Sequence, residues 1–157
     1  MDAILFGIEP GSLYYAFSNY APYSVDIDGE TWPTVDHYIY ASATNDIGVQ
    51  QTIRTGTVSE ARRIIWAMAS AGTLIPEWKT HLLEAAKRAL RAKFTQYDDL
   101  RLTLINTGNT PLIYNTPHDA YWGSGPITTG ENHLGVLLMQ IRAELQAEQD
   151  KTENCIY

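Results

Sequence analysis

Two carboxylates, Asp36 and Asp119, lie beside aromatic residues in segments whose composition restrains the backbone around them. Asp36 follows Pro33 and Thr34 in the stretch WPTVDHYIY. Proline stops the preceding extended segment and threonine is a good N-cap, so Asp36 and His37 are expected in the first turn of a helix. The free N–H groups and the dipole of a helix start favour the ionised carboxylate. A carboxylate held that way suits a base, a nucleophile or a stabiliser of positive charge, and does not suit a proton donor. Aspartate is also an ordinary first-turn residue, so this position alone does not define a site. Asp119 lies in NTPHDAYWGSGPITTGENHLG, residues 115–135, a run too long and too rich in glycine to be a mere connector. Tyr121 and Trp122 want burial or a ligand. Gly123, Gly125 and Gly130 permit close backbone approach. The run ends at an expected helix start near Asn132, where free N–H groups could receive a phosphate. A surface loop pinned by its aromatics would have the same composition.

Other chemistries lack their residues. There is no P-loop, no G-x-G-x-x-G after a strand and no G-x-S-x-G elbow. His37, His81, His118 and His133 show no metal-ligand spacing. Cys155 stands alone in a polar stretch, badly placed for catalysis. Neither a metal nor a cofactor is expected.

The elements that must position these groups belong to a chain of 157 residues, read as one domain over 1–147 with a flexible tail over 148–157. Asp28-Gly29, between Val25-Ile27 and Thr31-Trp32, predicts a two-residue hairpin turn. Short strands are expected near residues 3–8 and 111–115. Helices are expected after Thr34, after the capping-box sequence TVSE at residues 57–60, from Pro76, from Asp98 or Asp99, and from Asn132. The third of these is expected to bury Leu83, Ala86, Leu90 and Phe94, and residues 45–55 remain unassigned. The fold class is α+β, mainly helical with a few short strands. The net charge of −7 argues against nonspecific binding of a nucleic-acid backbone but not against a small phosphorylated ligand. Lys87, Arg88, Arg91 and Lys93 read as a solvated helix face. No run is apolar enough to cross a membrane, no secretory signal is visible and the lone cysteine fits a reducing compartment. A cytoplasmic protein is expected, acting in the host cytoplasm if it is phage-encoded.

The ordered series FSNY-A-P, DGETWP-T-V-D-H-Y, EW with RALRAKF, HDAYWGSG and G-E-N-H-LG resembles the NADAR family of YbiA-like N-glycosidases over roughly residues 6–145. The resemblance implies a compact, largely helical α+β domain that hydrolyses an N-glycosidic bond in a phosphorylated ribosyl compound without a metal. The substrates it implies are ribosylamino-pyrimidine phosphates of the riboflavin pathway and ADP-ribose attached to guanine, including a nucleic-acid base. By motif match Asp36 takes the family's catalytic glutamate position, and His37 and Tyr38 follow it. Asn19 and Trp78 match pocket residues. Asp119, Trp122 and Gly123 match D-x-[FY]-W-G, and Asn132, Leu134 and Gly135 match G-x-N-x-LG.

Two departures from the family pattern stand out. Asp36 is one methylene shorter than the usual glutamate, and misplacement by ~1 Å can cost ~100-fold in rate. Ala43 occupies the position of the family lysine proposed to attack the sugar. The resemblance therefore supports two expectations. In one, Asp36 stabilises or attacks the sugar cation, Asp119 orients water, binds ribose hydroxyls or assists the leaving base, and Trp78, Tyr121 or Trp122 stacks on the ligand. In the other, the chain has kept the pocket and lost hydrolysis, and sequesters or senses an ADP-ribose-type nucleotide.

Overall fold

The computed structural model describes residues 2–155. Among these residues it has six α-helices and four short strands, an α+β architecture that is mainly helical. Contacts divide the chain into two units, residues 19–93 and residues 1–18 with 94–157.

In the unit of residues 19–93, strands β2 (Val25–Ile27) and β3 (Glu30–Trp32) pair antiparallel, with Val25 opposite Trp32. Asp28 and Gly29 both have positive φ, 54° and 79°, as a two-residue turn matched to strand twist requires. Val25, Ile27 and Trp32 are buried while Asp26 and Thr31 face out. The chain then enters α1 (Val35–Ala41), capped by the Thr34 hydroxyl, which accepts from the His37 amide. The unassigned polar stretch folds as α2 (Ile47–Thr55), capped by Asp46. Its hydrophobic signal is one buried residue, Ile53, and side-chain bonds compensate: Gln50 donates to the carbonyls of Ala41 and Thr44. Helix α3 (Val58–Ala71) has the expected capping box of Thr57 and Glu60 and ends at Gly72 in the left-handed region. Ala61 and Ile65 are its buried residues, and α1, α2 and α3 contact one another.

Helix α4 (Trp78–Gln96) begins two residues after Pro76, and its residues through Lys93 belong to this unit. Within the unit its buried stripe is Leu82, Ala85, Ala86, Ala89 and Leu90. Leu82 rather than Leu83 is the first buried leucine. The stripe continues into Lys93, which is 0% exposed, so the expected solvated face holds only for Lys87 and Arg88. Helical phase explains the correction, because Lys93 is three residues beyond Leu90 and seven beyond Ala86.

In the other unit, β1 (Ile4–Phe6) pairs parallel with β4 (Leu112–Tyr114), Ile4 opposite Leu112. Phe6 stacks on Tyr114 at 5.5 Å between ring centres, and Phe17 meets Phe94 edge-on at 5.6 Å. Helix α5 (Asp98–Asn106) starts with two aspartates in its first turn. Helix α6 (His133–Asn154) buries Leu134, Leu137, Leu138, Ile141 and Leu145. Buried Arg142 on α6 donates to Thr107 Oγ1 and to the Thr110 carbonyl, tying α6 to the turn before β4. The expected tail from residue 148 is helical as far as Asn154, with i,i+4 bonds from Gln149 to Glu153 and from Thr152 to the Glu148 carbonyl. A polar helix end keeps its backbone bonds without needing a buried face. The tail's last two residues lie outside the described chain.

Candidate functional site

Asn19, Asp36, His37, Tyr38 and Trp78 fall in the unit of residues 19–93. Asp36 is half-buried in the first turn of α1. Its amide donates to the Asn19 carbonyl at 3.2 Å. The next amide, that of His37, donates to Thr34 Oγ1 at 3.3 Å. Helix α1 spans seven residues and both of these first-turn amides are engaged. A helix dipole is worth about 0.3–1 kcal/mol to a neighbouring charge. It is therefore a weak source for the ionisation that the helix start was expected to provide.

A buried cation lies on α4. The Lys93 ammonium is fully buried and sits over the Tyr23 ring, 5.2 Å from its centre. Burial pushes its pKa down from 10.5 to about 7, while the Asp36 carboxylate acts in the opposite direction and favours the ammonium. The unit thus brings Lys93 against Tyr23 from two separate stretches of chain, with the Asp36 charge acting on the same ammonium. The sequence offered one signal for Lys93, its place in the helical phase of an apolar stripe.

His37 is buried and both ring nitrogens are engaged: Nε2 meets the Gly56 carbonyl at 2.9 Å and Nδ1 meets Thr34 Oγ1 at 2.8 Å. Since a carbonyl can only accept, Nε2 carries the proton. The ring therefore bolts the start of α1 to the turn between α2 and α3 and fixes the residue beside Asp36. Tyr38 is half-buried, edge-on to Trp32 at 5.6 Å, and its hydroxyl accepts from Arg88 at 3.3 Å. Asn19 is 6% exposed, and its side-chain oxygen is buried without a hydrogen-bond partner among the described residues. Trp78, the first residue of α4, is half-buried with the Lys79 ammonium 5.6 Å from its ring centre.

Asp119, Tyr121, Trp122, Gly123, Asn132 and Gly135 fall in the other unit. Asp119 Oδ1 accepts from the amides of Tyr121 and Trp122 at 2.9 and 2.8 Å, which folds the loop back on itself. The carbonyls of Tyr121, Trp122 and Gly123 then accept from the amides of His133, Leu134 and Asn132. The expected phosphate donors at the start of α6 are thereby engaged by the protein's own loop. Asn132 has left-handed backbone and caps nothing with its side chain. That side chain bonds β4, accepting from the Tyr114 amide at 2.9 Å and donating to the Leu112 carbonyl at 3.0 Å. At Gly123 a Cβ would lie 2.6 Å from the Tyr114 carbonyl, and at Gly135 it would collide with the Leu112 carbonyl. Both glycines thus allow contact with the chain itself. Tyr121 packs against Trp122 and His133, and burial followed by the charge of Glu131 pushes its phenol pKa up.

The described residues contain no cluster of three or more His, Cys, Asp or Glu side chains able to hold a metal. The fold is an α+β domain with a half-buried carboxylate in the first turn of α1 and a buried lysine on α4. The NADAR domain family matches residues 6–146, and the chain belongs to that family. It is 36% identical to the N-glycosidase YbiA of Escherichia coli over 149 residues, covering 94% of this chain and 92% of that protein. It is 31% identical to an N-glycosidase of Nostoc punctiforme, covering 85% of this chain and 86% of that one. A chloroplastic riboflavin biosynthesis protein, PYRR of Zea mays, is 33% identical, with 24% of its length covered. The NMR structure of E. coli YbiA superposes with a TM-score of 0.83 at 34% identity, covering 95% of this chain and 89% of that one.

Proposed function

We propose that the protein is an N-glycosidase that hydrolyses the bond between a phosphorylated ribose and a nitrogen base. The observation that carries this reading is the half-buried Asp36 carboxylate in the first turn of α1, in a NADAR chain 36% identical to named N-glycosidases. Breaking the C1′–N bond leaves the electron pair on the base and positive charge on the sugar ring. A carboxylate beside C1′ stabilises that charge or attacks the carbon, and water then supplies the hydroxyl of the product. Asp36 takes this role. Asn19 Oδ1 accepts a hydrogen bond from a ligand hydroxyl, and Tyr38 and Trp78 flank the ligand. Asp119 keeps Oδ2 available for a water or a ribose hydroxyl while Oδ1 holds its loop. Tyr121 and Trp122 present rings for stacking, and Gly123, Asn132 and Gly135 hold those rings in place.

Two relatives carry riboflavin-biosynthesis names, from Zea mays and Vibrio vulnificus, with 24% and 40% of their lengths covered. Ribosylamino-pyrimidine phosphate is therefore the first substrate to test, with ADP-ribosyl-guanosine as the second. Incubation of the purified chain with each, followed by chromatography, should release the aminopyrimidine and ribose phosphate from the first, and guanosine and ADP-ribose from the second.

A second reading rests on Ala43. This residue is 0% exposed and stands where the family pattern has a lysine. A chain lacking that amine could bind an ADP-ribose-type nucleotide without cleaving it. Thermal stabilisation by both compounds with no product would favour the binder and reject the enzyme.

A further inference from the structure

Trp66, on α3, is 59% exposed, and its indole makes no hydrogen bond or ring contact among the described residues. Arg62 and Arg63 stand four and three residues before it, on the same helix face. Both arginines are exposed, and neither has an ion-pair partner among the described residues. The Glu60 carboxylate, on which the Arg63 charge acts, is committed to the capping box with Thr57. A single exposed tryptophan is ordinary on a protein surface. Tryptophan flanked by two unpaired arginines is the composition of an interface anchor.

The other unit carries a matching receptor. Where α5 and α6 pack, a groove of about 410 Å³ opens, lined by Arg101, Leu102, Leu145, Glu148, Gln149 and Glu153 among others. That volume falls in the ~300–1,000 Å³ range of ligand sites. Leu102 gives it an apolar wall, 47% exposed. Its charge is acidic: Glu148 and Glu153 line it, and Arg101 is turned to Asp98 at 3.7 Å. Gln149 donates from Nε2 to Glu153 at 3.1 Å, while its Oε1 is buried without a hydrogen-bond partner. A buried acceptor without a donor is unfavourable by about 1–3 kcal/mol.

We infer that the occupant of this groove is Trp66 of a second copy of the chain. The indole ring packs on Leu102. Its N–H is the donor that Gln149 Oε1 lacks, once the half-buried amide turns outward. That turn releases Glu153 to meet Arg62 or Arg63. In a chain of net charge −7, self-association needs a local cationic patch, and α3 supplies one. The two surfaces differ, so the contact is head-to-tail and leaves one anchor and one groove unused at the ends of every dimer. This contact is independent of the glycosidase reading.

Sedimentation of the purified full chain over a hundredfold range of concentration tests the proposal. The weight-average mass should rise with concentration, and a chain that stays monomeric at the highest concentration overturns it. Trp66→Ala removes the anchor and Leu102→Arg blocks the groove. Each should weaken association at least tenfold while keeping the wild-type circular dichroism spectrum. Arg62→Glu and Glu153→Lys, both at exposed positions, repeat the comparison without touching an apolar side chain. The decisive arm mixes Trp66→Ala with Leu102→Arg. Each is monomeric alone, and together they should form a one-to-one pair that grows no further, since one brings the groove and the other the anchor. No pairing in the mixture overturns the contact. Loss of association in Trp66→Ala with none in Leu102→Arg also overturns it, because Trp66 then meets a different surface. A monomeric chain whose Trp66 fluorescence is quenched by a short single-stranded oligonucleotide gives this face to another partner and overturns it as well.

Discussion

The surroundings of Asp36 and the loop of residues 115–135 each contain a carboxylate, and the two are used in opposite ways. Around Asp36 the conspicuous feature is a charge taken out of water, Lys93, whose burial is unfavourable in itself. Around Asp119 it is a set of backbone bonds in which the carboxylate, three loop carbonyls and three amides at the start of α6 satisfy one another. The first region gives up stability for electrostatics. The second acquires a fixed shape and keeps little spare bonding capacity. Motif-level reasoning treats both as polar residues near glycines and aromatics, and the geometry separates them.

That contrast can be broken by measurement, beginning with the largest effect. Below about pH 7 the folded chain holds Lys93 protonated against its burial, and the unfolded chain keeps its proton up to 10.5. Between these values the unfolded state binds more protons, so stability rises with pH. Lys93→Met lacks this dependence. Its stability relative to the wild type should therefore fall by on the order of 4 kcal/mol as pH climbs through that window, read by urea denaturation at a series of pH values. A flat difference would remove the buried charge from the description.

Next comes the backbone-locked loop. Gly123→Ala forces a methyl against the Tyr114 carbonyl and the Thr116 side chain and should destabilise the chain by about 3 kcal/mol. Tolerance of alanine at this position would mean that the loop is not held as described. His37→Ala leaves the Gly56 carbonyl and Thr34 hydroxyl without their ring partners and should cost about 2 kcal/mol. Asp119→Ala should cost about 1 kcal/mol, and Asp119→Asn less, since an amide oxygen can still accept from Tyr121 and Trp122.

Much of the fold was legible because its signals are local. The Asp28-Gly29 turn, the Thr34 cap and the Thr57–Glu60 capping box each depend on a few adjacent residues, and each forms as the sequence predicts. Helix α2 was not legible because its face carries a single buried side chain and its support comes from Gln50 reaching back to Ala41 and Thr44. Asn132 looked like a cap, but its side chain is occupied by β4, eighteen and twenty residues earlier. The parallel pairing of β1 with β4 is likewise nonlocal. Lys93 was the most consequential omission from the candidate site. Its charged neighbours Lys87 and Arg88 suggested a solvated face, while the 3.6-residue period of the apolar stripe pointed inward.

The most direct measurement compares Asp36→Asn with Asp119→Asn on one ribosylamino-pyrimidine phosphate, each variant checked to be folded at the assay temperature. Removing the charge at Asp36 should lower turnover on the order of 1,000-fold. Asp119→Asn, which keeps the loop bonds, should lose far less. Equal losses in the two variants, or full turnover in Asp36→Asn, would contradict the account.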